Sequence, residues 1–271
     1  MKLNLIPART GIVWVKLGIR TFFRQPLALS GLFFMFALPL SLVGLIPWLG
    51  FFLQTVLLPA GILGMIVATQ QAEQGRFPMP NVMLSAFTGG PRRTRAMLLL
   101  GLCWALGVAA VWGVAALIDG GELARYYLAG EALNPDSLME PRLQWAMLVV
   151  LVLNLLLTAA FWHSPALTYF GDLPPLKSFF FSVVASMRNF GAYLVYSLLW
   201  SAVMTLAFLV IAILLLTLGG EGLVKAGMIP LLMLLMAMTF TSIFFTFRDS
   251  FSLDDATDDQ GPAITTPPEK P

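Results

Sequence analysis

The chain of 271 residues holds one histidine, His163, and one cysteine, Cys103, so metal and nucleophile chemistry have little to work with. A single histidine does not make the usual His-rich zinc site, and no H-E-x-x-H occurs. Cys103 lies in the middle of an apolar run; it forms no internal disulfide and leaves the redox compartment open. His163, Ser164 and Asp172 are the residue types of a nucleophilic triad. Adjacent residues on a helix do not face each other, however, so His163 reads as an interfacial histidine beside a proline kink. Gly89-Gly90-Pro91-Arg92-Arg93 lacks the spacing and lysine of a phosphate-binding P-loop. The expectation is a protein without catalytic residues, metal or cofactor.

Periodic stripes carry more information. Tyr193, Ser197, Ser201 and Thr205 recur every fourth residue, as one polar face of a helix; Thr239, Ser242 and Thr246 form a similar set, and Asn154 with Thr158 adds a third. Such hydroxyls and amides bond between membrane helices, or alternatively line a polar path for a lipid headgroup or small solute. Gly101, Ala105, Ala109 and Gly113 are small residues at the same spacing, suited to close helix packing or to a sliding interface. Lys16, Arg20 and Arg24 form a basic stripe; Arg92, Arg93 and Arg95 form a cluster; Lys177 and Arg188 flank a further segment. All eight are candidate contacts for anionic inner-leaflet lipid, and topology alone also accounts for them.

The elements that must position these residues are membrane helices. Apolar residues make up 58% of the chain and charged residues 11%, with mean hydropathy +0.84; a soluble domain carries about 25% charged residues. Several apolar stretches are long enough to cross roughly 30 Å of hydrocarbon as helices. An outer-membrane barrel is excluded, because its strands alternate while Leu27–Ile46 and Met147–Thr158 are apolar on every face. Six spans are expected, at about Leu27–Ile46, Phe51–Thr69, Thr94–Ile118, Leu143–Trp162, Phe190–Leu218 and Gly227–Phe247. Their central portions carry almost no Asp, Glu, Lys or Arg, which argues against a proton pump or antiporter.

Connections follow from turn residues. Pro47-Trp48-Leu49-Gly50 reads as a tight turn, Asp119–Arg142 as a long loop containing Asn134-Pro135-Asp136, and Gly219-Gly220-Glu221-Gly222 as another turn. With the N-terminus inside, 13 of the 16 basic residues fall on cytoplasmic segments; only Arg125, Arg142 and Lys225 fall outside. The positive-inside rule therefore places both termini in the cytoplasm. No cleavable signal is evident, because the first apolar run follows a 26-residue basic segment, and uncleaved insertion is expected. Residues 249–271, with Asp254, Asp255, Asp258 and Asp259 and a Pro/Thr-rich end, read as a disordered tail on a single membrane domain of residues 1–248.

The segment from Pro175 places Leu176, Phe179, Phe180, Val183, Val184 and Met187 on one helical face and Ser178, Ser182, Ala185 and Asn189 on the other. With Lys177 and Arg188 at its ends, it is expected to lie in the cytoplasmic interface, apolar face down. Thr10–Arg24 and the shorter Asn81–Thr88 stand in similar places, each after a proline and before a pair of spans. A threefold repeat of interfacial helix plus hairpin is expected over residues 7–69, 80–162 and 175–247.

The segments IPARTGIVWVKLGIRTFFRQPLALSGLFFMF, FPMPNVMLSAF and PAL…PPLKSFFFS…RN together resemble a family of uncharacterised proteobacterial polytopic inner-membrane proteins. In architecture alone, the chain is also similar to the membrane portion attached to some glycerophosphodiester phosphodiesterases. Neither resemblance implies a catalytic motif. The expected fold is an all-α membrane bundle of six spans with three interfacial amphipathic helices. The expected role is a non-enzymatic membrane or envelope factor engaging anionic lipid, a protein partner or a second copy, with a transporter of lipid or neutral solute as the alternative. Nucleic acid is not an expected partner, because the basic residues are committed to the membrane surface.

Overall fold

The computed structural model describes residues 2–46, 49–132, 135–218 and 220–252. The fold is all-α, and six helices among the described residues are long and apolar enough to cross a membrane. In chain order the α-helices are α1 (Thr10–Arg24), α2 (Pro26–Gly44), α3 (Leu49–Glu73), the short α4 (Ser85–Thr88) after a 3₁₀ turn at Pro80–Leu84, α5 (Pro91–Asp119), α6 (Glu122–Ala124), α7 (Pro141–Phe161), α8 (Ser164–Phe170), α9 (Pro175–Arg188), α10 (Phe190–Leu218) and α11 (Gly220–Ser250). The spans are α2, α3, α5, α7 continued by α8, α10 and α11.

Proline sets many of the starts. Pro26, Pro91, Pro141 and Pro175 each open a helix, where a missing N–H costs nothing and φ is already helical. At its far end α5 stops at Gly120 in the left-handed conformation, and the Asp119 carboxylate accepts the backbone N–H groups of Gly121 and Leu123, both at 2.7 Å. This turn closes a small cluster of Ala115, Leu123, Leu143 and Ala146 between α5, α6 and α7.

The main core lies toward the face that carries both ends of the described chain. There α1 lies across α10, α11 and α3, burying Trp14, Val15 and Phe22. The crossing depends on two glycines. A Cβ at Gly11 would fall on the Ala192 carbonyl, and one at Gly18 on the Ser242 side chain. α3 and α11 contribute Leu63, Met65, Ile66, Phe245 and Phe247 to the same core.

Several boundaries differ from the sequence reading. α11 runs past residue 248 to Ser250, and Phe251–Ser252 then pairs antiparallel with Lys2–Leu3, so the chain expected to be tail begins as packed structure; residues 253–271 lie outside the described residues. Gly220, Glu221 and Gly222 belong to α11 rather than to a turn, and Leu49 and Gly50 to α3; Pro47, Trp48, Asn134 and Gly219 lie outside the described residues. Of the three segments before the span pairs, α1 has 15 residues and α9 has 14, and the middle one, expected to be shorter, is a 3₁₀ turn followed by four residues.

The small-residue stripe divides. Gly101 and Ala105 are buried, and a Cβ at Gly101 would meet the Val56 carbonyl of α3. Ala109 and Gly113 are exposed, and Gly113 faces open space. Gly101→Leu is therefore expected to lower stability by about 1–3 kcal/mol through overpacking, and Gly113→Leu by less than about 0.5 kcal/mol. Thermal melting of the two variants in detergent checks both.

Candidate functional site

Two groupings of polar residues stand out on the face where α1 lies. The first is a buried hydrogen-bond hub. His163, between α7 and α8, is fully buried. Its Nε2 meets the Tyr193 hydroxyl, which also bonds Ser250 at 2.9 Å. The His163 backbone N–H donates to Ser182 Oγ at 3.1 Å, and Ser182 in turn donates to the Ala159 carbonyl at 2.7 Å. Trp14 Nε1 donates to Asp249 Oδ2 at 2.9 Å, and Arg248 Nε donates to Asp249 Oδ1 at 2.8 Å. Asn189 accepts the Ile6 N–H at 2.9 Å and donates to the Asn4 carbonyl at 3.0 Å, tying the N-terminal segment to the start of α10.

The hydroxyl stripe of α11 is part of this hub. Ser242 donates to the Thr239 carbonyl at 2.6 Å, and its oxygen accepts from Tyr196 at 2.7 Å and from Trp200 Nε1 at 3.0 Å. Thr246 accepts from Trp162 Nε1 at 2.9 Å and donates to Ile243 at 2.8 Å. Thr239 donates to Leu235 in its own helix at 2.9 Å. The residues missed from sequence are the partners, Trp14, Trp162, Trp200 and Asp249. The hydroxyls give a periodic signal, but single tryptophans on three other elements do not.

The α10 stripe splits in the same manner. Tyr193 turns into the hub, whereas Ser197, Ser201 and Thr205 are not buried. Asn154 bonds back to Val150 at 3.0 Å, and Thr158 is half-buried. The structure thus does not bring these residues together into one lining. Nor does it assemble a triad, because Ser164 donates to Ala160 in the preceding turn and Asp172 pairs elsewhere. Among the described residues, no group of three or more His, Cys, Asp or Glu converges as metal ligands would.

The second grouping is an arginine cleft at the start of α5. Arg92, Arg93 and Arg95 share this cleft with Asp172, which lies in the connection from α8 to α9 and has a left-handed φ of 48°. The ion pairs are long, Arg92 to Asp172 at 3.6 Å and Arg93 to Asp172 at 3.8 Å, and the Arg93 guanidinium lies over the Tyr169 ring at 5.6 Å. Arg95 makes no ion pair or hydrogen bond among the described residues. A cleft of about 400 Å³ lies between these arginines and Leu173, Pro174 and Pro175. A second, of about 640 Å³, lies between Phe87 and the α5 residues Arg95, Leu98, Leu99 and Leu102. Pro91, Arg95 and Leu99 belong to both.

The remaining basic candidates are exposed: Lys16, Arg20 and Arg24 on α1, Lys177 and Arg188 on α9. Of these, Arg24 pairs with Glu73 at 3.4 Å.

These features define a six-span helical membrane protein with a tied-down polar core on one face. The chain is 36% identical over 258 residues to a probable inner membrane protein of Burkholderia thailandensis, covering 94% of this chain and 96% of that one. It belongs to that family of inner-membrane proteins. No protein-family model matches the chain, and no solved structure matches it.

The hub makes a stability prediction. Tyr193→Phe leaves His163 Nε2 and Ser250 without their shared partner in a buried site, and a loss of about 1–3 kcal/mol is expected. Replacing Ser197 and Ser201 together by Ala changes two uncovered hydroxyls, and a shift within about 0.5 kcal/mol is expected. Denaturation of both variants in the same detergent checks the contrast.

Proposed function

We propose that this protein is a non-enzymatic inner-membrane factor that engages anionic lipid of the cytoplasmic leaflet, with both termini in the cytoplasm. The observation that carries this reading is the way α9 is mounted. Its Ser178, Ser182 and Ala185 are buried against the protein, while Leu176 and Met187 are 80% and 71% exposed. An exposed apolar face is stable against lipid, not water, and the exposed Lys177 and Arg188 at its two ends sit where acidic headgroups would be. The arginine cleft at the start of α5 adds three more cations on the same face of the bundle.

The transporter reading has less to draw on. Its hydroxyls are divided between the closed hub and uncovered helix faces. A protein partner or second copy keeps one supporting observation, since the most apolar stretches of the fourth and fifth spans are only 6% buried within the monomer.

Reporter fusions at Met1, near Gln74 and at Gly261 are expected to read cytoplasmic, and fusions near Gly130 external; a reversed pattern would place the α9 face against the wrong leaflet. Phosphatidylglycerol is expected to raise the melting temperature more than phosphatidylcholine does. Lys177→Gln with Arg188→Gln is expected to reduce that difference, each charge near an anionic surface being worth about 1 kcal/mol. Equal stabilisation of wild type by the two lipids would remove the anionic preference.

A further inference from the structure

We infer that the arginine cleft is a seat for the phosphate group of an anionic phospholipid, and that the Asp172 carboxylate occupies this seat when no lipid is bound. The inference deepens the anionic-lipid reading above and rests on it.

The charge balance comes first. Three arginines and one carboxylate line a cleft of about 400 Å³, a surplus of two positive charges, and only Arg92 and Arg93 pair with the carboxylate. The two ion pairs, at 3.6 and 3.8 Å, are longer than charge-assisted hydrogen bonds of about 2.7–2.9 Å. None of the three guanidiniums donates a hydrogen bond to an acceptor among the described residues. Asp172 therefore supplies charge without satisfying the donors. A phosphate has more oxygens than a carboxylate, spread in three dimensions, and takes two guanidiniums at once through parallel N–H···O bonds.

The apolar surroundings identify the molecule that carries the phosphate. Leu99 and Leu102 lie four and seven residues beyond Arg95, about 6 and 10 Å further along α5 at 1.5 Å per residue. They line the larger cleft together with Leu98 and Phe87, and that cleft meets the arginine cleft at Arg95 and Leu99. Leu98 and Leu99 are exposed. A headgroup at Arg95 thus has an apolar groove beside it that leads into the span, as an acyl chain requires and a soluble phosphate does not.

Asp172 suits the part of a displaceable anion. Its side chain is 53% exposed, and it sits on a four-residue connection between α8 and α9. Half-exposed ion pairs of this kind hold weakly. Its left-handed backbone is one that Asp and Asn both tolerate, so Asp172→Asn removes the charge and leaves the turn.

The test is native mass spectrometry of the full chain in detergent, titrated separately with phosphatidylglycerol, phosphatidylcholine and inorganic phosphate. Wild type, Arg95→Gln and Asp172→Asn are compared. Arg95→Gln is expected to bind phosphatidylglycerol about tenfold more weakly, with an unchanged melting temperature because Arg95 supports no other contact. Asp172→Asn is expected to bind it roughly fivefold more tightly, as removal of a like charge about 4 Å away predicts. Inorganic phosphate is expected not to compete; efficient competition by it would keep the phosphate seat but overturn the lipid as its source. Affinities equal in wild type and both variants overturn the inference while leaving general lipid association, which is read from Lys177 and Arg188, intact. Equal binding of phosphatidylglycerol and phosphatidylcholine by wild type overturns the anionic-lipid reading itself.

Discussion

The close crossing of α1 over α10 and α11 is the contact from which the rest of this face is built. A helix can lie this near two others only where side chains vanish, and Gly11 and Gly18 supply the two gaps, one against the Ala192 carbonyl and one against Ser242. Once α1 is seated, Trp14 reaches Asp249, Thr21 donates to Glu73 at 2.7 Å, and the strand Lys2–Leu3 meets Phe251–Ser252. A bulkier residue at either glycine would lift the helix off all of these partners together. The interaction is van der Waals contact, but what it secures is polar.

Most of that polar core obeys the constraint a membrane imposes, with His163 Nδ1 the buried atom of the hub left without a partner among the described residues. A hydroxyl or amide in hydrocarbon has no water to fall back on, so it must find a partner in the protein. Ser242 and Thr246 meet this need twice over, with their own helix and with an indole from another element. The same logic orients α9. Its serines turn inward to His163, Ala159 and Thr168 with Phe179 packed on Phe161, and Leu176, Phe180, Phe181 and Met187 turn outward. In water such a helix would pack the other way round.

The hub and the arginine cleft are joined by one stretch of chain. His163 precedes α8 and Ser182 sits on α9, while Asp172 lies in the connection between those helices. Leu173 N–H bonds back to the Leu167 carbonyl at 3.4 Å, and Thr168 meets Ser178 at 3.0 Å, so the connection is pinned on both sides. The hub thereby fixes where the one carboxylate of the cleft is held. Arg92, Arg93 and Arg95 are fixed independently by the start of α5, whose Pro91 follows Gly90 at φ 87°. The cleft is the place where these two supports meet.

The sequence by itself determined the solvent of this protein, the six spans and their approximate places, because length and uninterrupted hydropathy are properties of single segments. It also marked the basic residues of the cleft, and the helix from Pro175, with its apolar and small-polar faces, through local spacing. It could not determine which half of a periodic stripe is buried. Gly101 and Gly113 are equivalent in sequence, as are Tyr193 and Ser197, yet one member of each pair packs and the other is left uncovered. Helices cross at an angle, so a partner touches part of a stripe and then departs from it. Only the tertiary structure decided that, and only it brought Asp172 to the arginines and Trp14 to Asp249, because those contacts join residues about 80 and 235 positions apart whose types carry no mark of each other.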